Sequence, residues 1–544
     1  MSEGKYHYIW EKSRKLYRVV VDKPEYNPAT KKTRHHYVTV GKAKGKDAPI
    51  EFGEKFKLAS RLSDPGGAEQ SPIRVKDVIL SGEKLVLDKI GNESGLGECL
   101  RSALGKEKAG KIMSLAYYLV CTGDALCSAE EWQGERKLPV LPGPRVSELL
   151  PELTSESCAP FFRSWGKAKA KGKRLCYDIT SISTYADGND MAEFGYNRDH
   201  EGWLRQINLA VVSDQDAHIP LAFRPLSGSL SDSVTLDATL RDFEAYDAKP
   251  YGLVMDRGFY SQGNLDLLSA RGVKVMIPVP SSLKWARDLI GRHKDDVFSQ
   301  DYRTDSDGGT TFGYTVYDPL GEGKRVWAHV YYSPSIETAR KEKFAKQYMD
   351  RRGELEKGIP DERYRKFYDE YFTVSTRGRG GKPHIAEVTP LKDVLSGMNF
   401  GYWVLYTDIE KDAMKALEDY RTRSFIEAGF DDLKGATDAK RLRVHHSGSV
   451  FGRLFIQFCA QVLRSGLRNR INSFPADTKK YASSPGALLS RVRHYSKVSY
   501  RGKYKSQYTE MTKGQRLIFK ELGLIDGKAI KESEDETDTE SLLN

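Results

Sequence analysis

Cysteine is scarce and unpaired in this chain. The six residues at 99, 121, 127, 158, 176 and 459 form no CxxC pair and no Cys-His array. That pattern argues against a zinc site or a disulfide framework, and reads as buried thiols in a reducing cytosol. Long apolar runs are missing too: the longest, residues 450–463, is broken by Arg453, Gln457 and Gln461 and falls short of a membrane span. The opening segment, MSEGKYHYIW, lacks the apolar core of a secretory signal. No internal repeat and no convincing helix-turn-helix stands out. These absences lead us to expect a soluble, cytoplasmic chain with no membrane partner.

What is present is positive charge. The 86 lysines and arginines outnumber 75 aspartates and glutamates, for a net charge of +11. Interleaved with 30 tyrosines and 21 phenylalanines, that excess favours a polyanionic partner whose bases can stack on aromatic rings. A length of 544 residues leaves room for several domains and a large core.

Periodicity suggests how the chain is organised. Residues 5–43 alternate basic with β-branched or aromatic residues, as in KLYRVVVDK and TRHHYVTVGK, and predict a small sheet with a basic face. From about 74 to 160 the pattern is helical, with a Gly- and Lys-rich linker at 166–173. RLCYDITSIS, LRQINLAVVS and IPLAFRPL then read as three antiparallel strands. A helix capped by Ser231 or Asp232, the buried strand YGLVMD, a second helix and the buried strand VKVMIPVP follow. The order β-β-β-α-β-α-β is that of a ribonuclease H-like fold within a mixed α/β chain. Beyond it lie a hairpin over 312–332, a charged helical region over 336–372 and a basic loop at 377–381. A strand YWVLYTD, a helix over 412–434, an amphipathic helix over 450–470 and an acidic tail from 531 complete the chain.

Chemistry concentrates in three places. On a helix, Tyr420, Arg423, Glu427 and Lys434 share one face, where spacings of three, four and seven residues place a carboxylate between two cations and a phenol. The plain alternative is an exposed helix with an Arg423–Glu427 ion pair worth about 0.2–0.5 kcal/mol. Asp178 lies inside the apolar strand CYDITS, and Asp256 ends the strand LVMD. Carboxylates in such positions are costly without a cation. If the strands pair as proposed, both aspartates reach one edge of the sheet, where a divalent metal relieves their repulsion and Glu427 supplies a third ligand. Three carboxylates around two Mg²⁺ ions suit in-line phosphodiester chemistry with no protein nucleophile. Asp187, Asp190 and Glu193 read as turn residues. Asp431 shares the face of Glu427 and leaves competition for the metal open, and His445 and His446 suit a DNA contact or a turn.

These residues carry a resemblance. Tyr420, Arg423, Glu427 and Lys434 match the Tyr-x2-Arg-x3-Glu-x6-Lys signature of a group of DDE transposases of bacterial insertion sequences, and YDITSIS and DRGFY resemble that group's two aspartate motifs. The similarity covers about residues 174–466. It implies Asp178, Asp256 and Glu427 as a catalytic, metal-binding triad for two Mg (or Mn) ions, with Tyr420, Arg423 and Lys434 gripping phosphates. Arg257 and Tyr260 are further DNA-contact candidates, and Trp327 is a candidate to stack on a flipped base. The implied partners are transposon terminal inverted repeats and target DNA, bound by a homodimer in a synaptic complex within a bacterial, nucleoid-associated setting. The implied layout is an N-terminal end-binding region (1–165), a first catalytic segment (166–282), a β-rich insertion domain (283–399), a second catalytic segment (400–475) and a helical C-terminal region (476–544). Two other functions stay open at this level: a domesticated DNA-binding protein, or a plain metal-dependent nuclease of the same fold.

Overall fold

Alternation of basic with β-branched or aromatic residues near the start of the chain produces strands. The computed structural model describes residues 6–13, 15–27, 32–52, 75–170, 173–230, 235–246, 250–298, 303–306, 309–376, 383–437, 440–501 and 504–525. Tyr6–Glu11 (β1), Leu16–Asn27 (β2), Lys32–Ala43 (β3) and Glu51–Phe52 (β4) form an antiparallel sheet in sequential order, with a register shift in β2 between Val19 and Val20. Val19, Val40 and Ala43 make its small core. This sheet belongs to a compact unit of residues 1–77 and 498–507; the remainder forms a second unit.

The second unit begins with helices. Gly82–Ser94 (α1), Leu96–Leu104 (α2), Lys106–Thr122 (α3), Ala129–Glu135 (α4), Gly143–Glu152 (α5) and Ser155–Lys169 (α6) pack around one core with later parts of the chain. Of the Gly- and Lys-rich run 166–173 expected to be a linker, residues 166–169 instead supply the last turn of α6, and 171–172 lie outside the described residues. Trp165 is fully buried and donates its indole N–H to the Pro220 carbonyl at 3.2 Å, while Lys167 and Lys169 lie at the helix C-terminus, where the dipole favours cations. Burial of one face outweighs the local flexibility that glycine and lysine suggest.

The central sheet contains nine strands: Arg174–Thr184 (β5), Arg205–Asp214 (β6), Pro220–Ser227 (β7), Gly252–Met255 (β8), Lys274–Val279 (β9), Arg303–Ser306 (β10), Gly309–Tyr317 (β11), Trp327–Tyr332 (β12) and Tyr402–Thr407 (β15). Two further strands, Phe372–Thr376 (β13) and Pro383–Glu387 (β14), form a separate hairpin. The spatial order is β10-β11-β12-β15-β9-β8-β5-β6-β7. β5, β6 and β7 are antiparallel neighbours, whereas β8 and β9 run parallel to β5, which is the ribonuclease H-like arrangement. Leu236–Ala245 (α7), Gln262–Ala270 (α8) and Lys284–Arg292 (α9) lie along the chain between these strands. The expected hairpin over 312–332 forms, but it extends the core sheet through β15 instead of standing apart, because its apolar residues continue the same buried face. Pro334–Lys357 (α10) and Arg365–Tyr371 (α11) build a small aromatic core with Phe372 and Val394.

After β15 come Ala413–Arg421 (α12), Ser424–Asp431 (α13), a π-helical turn at Asp432–Ala436, and the long helix Val450–Ser473 (α14). α14 is buried along most of its length, and a Cβ added at Gly452 would fall 2.1 Å from the Leu150 carbonyl oxygen, so α5 and α14 touch backbone to backbone. No single helix among the described residues is long and apolar enough to cross a membrane. The cap expected at Ser231 or Asp232, the loop 377–381 and the tail from 531 lie outside the described residues.

Candidate active site

Parallel pairing of β5 with β8 sets the first two carboxylates side by side. Tyr177 is in register with Met255, so Asp178 and Asp256 follow at the same level on adjacent strands. The third carboxylate comes from the far side of the sequence. Ala413, Ala416, Leu417 and Ile426 pack α12 and α13 onto Cys176, Val254, Met276 and Leu405 of the sheet, and this fixes Glu427 above the two aspartates.

The expected single helix over 412–434 is broken at Thr422–Arg423. Gln215 donates to the Asp419 carbonyl at 2.6 Å and Thr422 Oγ1 donates to it at 2.7 Å. With that acceptor taken, the Arg423 N–H bonds to the Tyr420 carbonyl instead, at 3.1 Å. Phe425, just past the break, stacks on His218 with ring centroids 4.3 Å apart.

The carboxylates converge on Arg423. Its Nη1 donates to Asp178 Oδ2 at 2.9 Å, and its Nη2 donates to Glu427 Oε1 at 3.1 Å and stands 3.6 Å from Asp256 Oδ1. Arg423 and Asp178 keep only 10% and 15% of their side-chain surface exposed, against 50% for Asp256 and 64% for Glu427. Burial pushes the Asp178 carboxyl up to about 6; Arg423 and the Ile179 N–H pull it down, and the neighbouring Asp256 adds to the rise. Burial alone disfavours the Arg423 cation, but the acidic groups around it raise its pKa further still. Burial likewise pushes the Tyr420 phenol up to about 12, and its ring lies 5.8 Å from the Arg423 guanidinium.

The other expected positions separate. Lys434 sits in the π turn and donates to Asp199 Oδ1 at 2.6 Å, not to the triad. Arg257 lines a cavity of about 350 Å³ with Asp256, Tyr420, Arg340 and Arg421. Tyr260 packs into the core beside Trp285, and burial raises its pKa. Trp327 starts β12, across from Thr407 in β15, with Tyr317 and Arg325 against its ring. Asp190 accepts from Ser447 Oγ and Glu193 accepts from Ser229, which are contacts of loop residues. Asp432, next to Asp431, is held by Arg464 and Arg468.

Sequence reasoning missed Gln215, Asp199, Arg340 and Arg421. Gln215, Asp199 and Arg340 reach the site or its motif from remote segments, so no local spacing marks them, and Arg421, next to Tyr420, lies about 100° off the stripe. Arg340 donates to the Phe400 carbonyl at 2.9 Å, and burial and then the nearby Arg257 cation lower its pKa.

Residues 169–463, more than half of the chain, match the family model for the transposase DDE domain. The chain belongs to the DDE transposase family. It is therefore a DNA transposase, an enzyme that cuts and transfers polynucleotide strands, of a family that uses divalent metal ions. Among solved structures it is similar to the cryo-EM structure of a piggyBac transposase synaptic complex with hairpin DNA, at 9% identity and a TM-score of 0.34, over 76% of this chain and 69% of that one. No curated protein matches.

Proposed function

We propose that this DDE transposase serves a bacterial insertion sequence of the Tyr-Arg-Glu-Lys group, cutting the element's ends and joining the freed 3′-hydroxyls to target DNA. The observation that carries this reading is the meeting of Asp178, Asp256 and Glu427 on one guanidinium. An all-oxygen, acidic donor set suits Mg²⁺ or Mn²⁺. Among the described residues no three such groups stand close enough to share an ion directly, and Arg423 bridges these three. The donor chemistry fits a metal once that guanidinium withdraws.

In this reading Asp178, Asp256 and Glu427 hold two divalent ions, which supply activation of the attacking water or hydroxyl and stabilisation of the leaving oxygen. The protein's own groups do the positioning. Arg423 bridges the carboxylates while DNA is absent, then transfers its forked donors to a phosphate beside the scissile bond. Arg257, Arg340 and Arg421 line the adjoining cavity and draw the backbone toward Asp256. Tyr420 stays a neutral donor at any physiological pH. Lys434 engages the cleaved end by exchanging Asp199 for a phosphate. A homodimer that synapses two ends, with the N-terminal sheet contacting the terminal repeats, completes the proposal.

Glu427→Ala is the direct test. Mg²⁺-dependent cleavage and strand joining should vanish while DNA binding is retained; full activity in that variant would overturn the site.

A further inference from the structure

Between β5 and β6 the chain exposes an unusual concentration of rings. Tyr185, Phe194, Tyr196 and Trp203 are 72%, 59%, 77% and 73% exposed, in a loop that follows the strand carrying Asp178. Three of these rings are each faced by a guanidinium: Arg441 over Tyr185 at 5.4 Å, Arg205 over Phe194 at 5.6 Å and Arg198 over Tyr196 at 6.0 Å.

The loop that presents them is built to keep its shape. Buried Asn197 donates to Ser183 Oγ and accepts from the N–H groups of Asp199 and Glu201. Buried Gln206 donates to the Tyr196 and Gly228 carbonyls at 2.9 and 3.1 Å. Gly195 touches Gly228 so closely that a Cβ there would lie 2.1 Å from its carbonyl oxygen. Two ion pairs tie the loop to the segment after Glu427: Lys434 with Asp199, and Arg441 with both oxygens of Glu201 at 2.8 and 2.7 Å. Arg198 also donates to Ser181 Oγ, three residues beyond Asp178, and its charge is felt at that carboxyl.

We propose that this arginine-backed aromatic shelf binds unpaired nucleobases of a DNA strand entering or leaving the carboxylate site. Rings with free faces stack on any base, and an adjacent guanidinium serves the phosphate between two bases. Three of the four rings each have a guanidinium within 6.0 Å of the centroid, a local positive charge that suits a polyanion better than an apolar protein face. The rigid loop keeps the ordering cost of binding low. The proposal rests on the reading of Asp178, Asp256 and Glu427 as the place where DNA is cut.

Full-length protein is titrated against a fluorescein-labelled oligo-deoxythymidine strand and against a blunt duplex. Trp203→Ala and Tyr196→Ala should each weaken single-strand binding by about 5- to 100-fold, with no comparable loss on the duplex. The slope of log affinity against log salt should stay unchanged, since no phosphate contact is removed. Trp203→Phe should restore most of the affinity, which separates stacking from a folding defect. Unchanged single-strand affinity in both alanine variants overturns the proposal, as does an equal loss on the duplex. So does a change in sedimentation without a change in DNA affinity, which would make the shelf an interface between copies. Glu427→Ala is run beside them for cleavage. Loss of cleavage there with intact shelf variants refutes the shelf alone, and retained cleavage refutes the site reading alone.

Discussion

Arg423 neutralises a buried carboxylate and holds two exposed ones, so its removal has two opposite effects. Arg423→Ala leaves Asp178 buried without its cation, which should cost about 3 kcal/mol of stability at neutral pH, read as a lower unfolding midpoint. The same change removes the charge that competes for the carboxylates. Mn²⁺ should therefore bind the DNA-free variant roughly tenfold more tightly, measured by calorimetry; weaker binding would show that Arg423 organises the ligands instead of opposing the ion. Asp178 also sets a pH dependence. Its folded-state pKa of about 6 lies above the ordinary carboxylate value, so the folded chain binds this proton more tightly than the unfolded chain does. The group therefore favours folding as pH falls through about 6 and opposes it above. Metal requires the ionised form, so Mg²⁺-dependent activity should drop as pH falls through about 6, and higher Mg²⁺ should move that midpoint lower. A flat profile across this range at low Mg²⁺ would refute the assignment.

The break between α12 and α13 decides how the signature residues are displayed. The spacing of Arg423 and Glu427 survives because Arg423 caps α13 in helical conformation and Glu427 lies in its first turn, so their ion pair forms as helical geometry predicts. Lys434 loses its phase in the π turn, which the spacing of the motif does not reveal. Gln215 is what holds the break open. Gln215→Ala should lower catalytic activity by about tenfold while costing only about 1 kcal/mol of stability. An unchanged rate would mean that the helix stays broken through Thr422 alone. The α5–α14 contact makes an element-level prediction of a different kind. Gly452→Ala should destabilise by about 2 kcal/mol or more, followed by thermal unfolding, because backbone rather than a flexible side chain opposes the new Cβ. The strands themselves were legible from alternation and apolar runs. The last turn of α6 was not, since a Gly- and Lys-rich stretch has no apolar periodicity of its own and continues a helix anchored by buried Trp165.

Across the whole molecule, basic charge is the property that DNA meets first. Lowering the net basicity of residues 5–46 should reduce affinity and make its salt dependence shallower, because fewer counterions are released on binding. An unaltered slope would place end recognition elsewhere. The chain's own residues were enough to place it in the DDE transposase family, because carboxylates inside apolar strands and a charged pair four residues apart are legible without the fold. Sequence also determined the order of the core strands, since each is a separate apolar run bounded by turns. Only the tertiary structure decided that one guanidinium stands between all three carboxylates, that Lys434 is paired with Asp199, and that the later hairpin extends the core sheet. Those outcomes depend on contacts between segments hundreds of residues apart, and local spacing holds no information about which distant group will arrive at hydrogen-bonding distance.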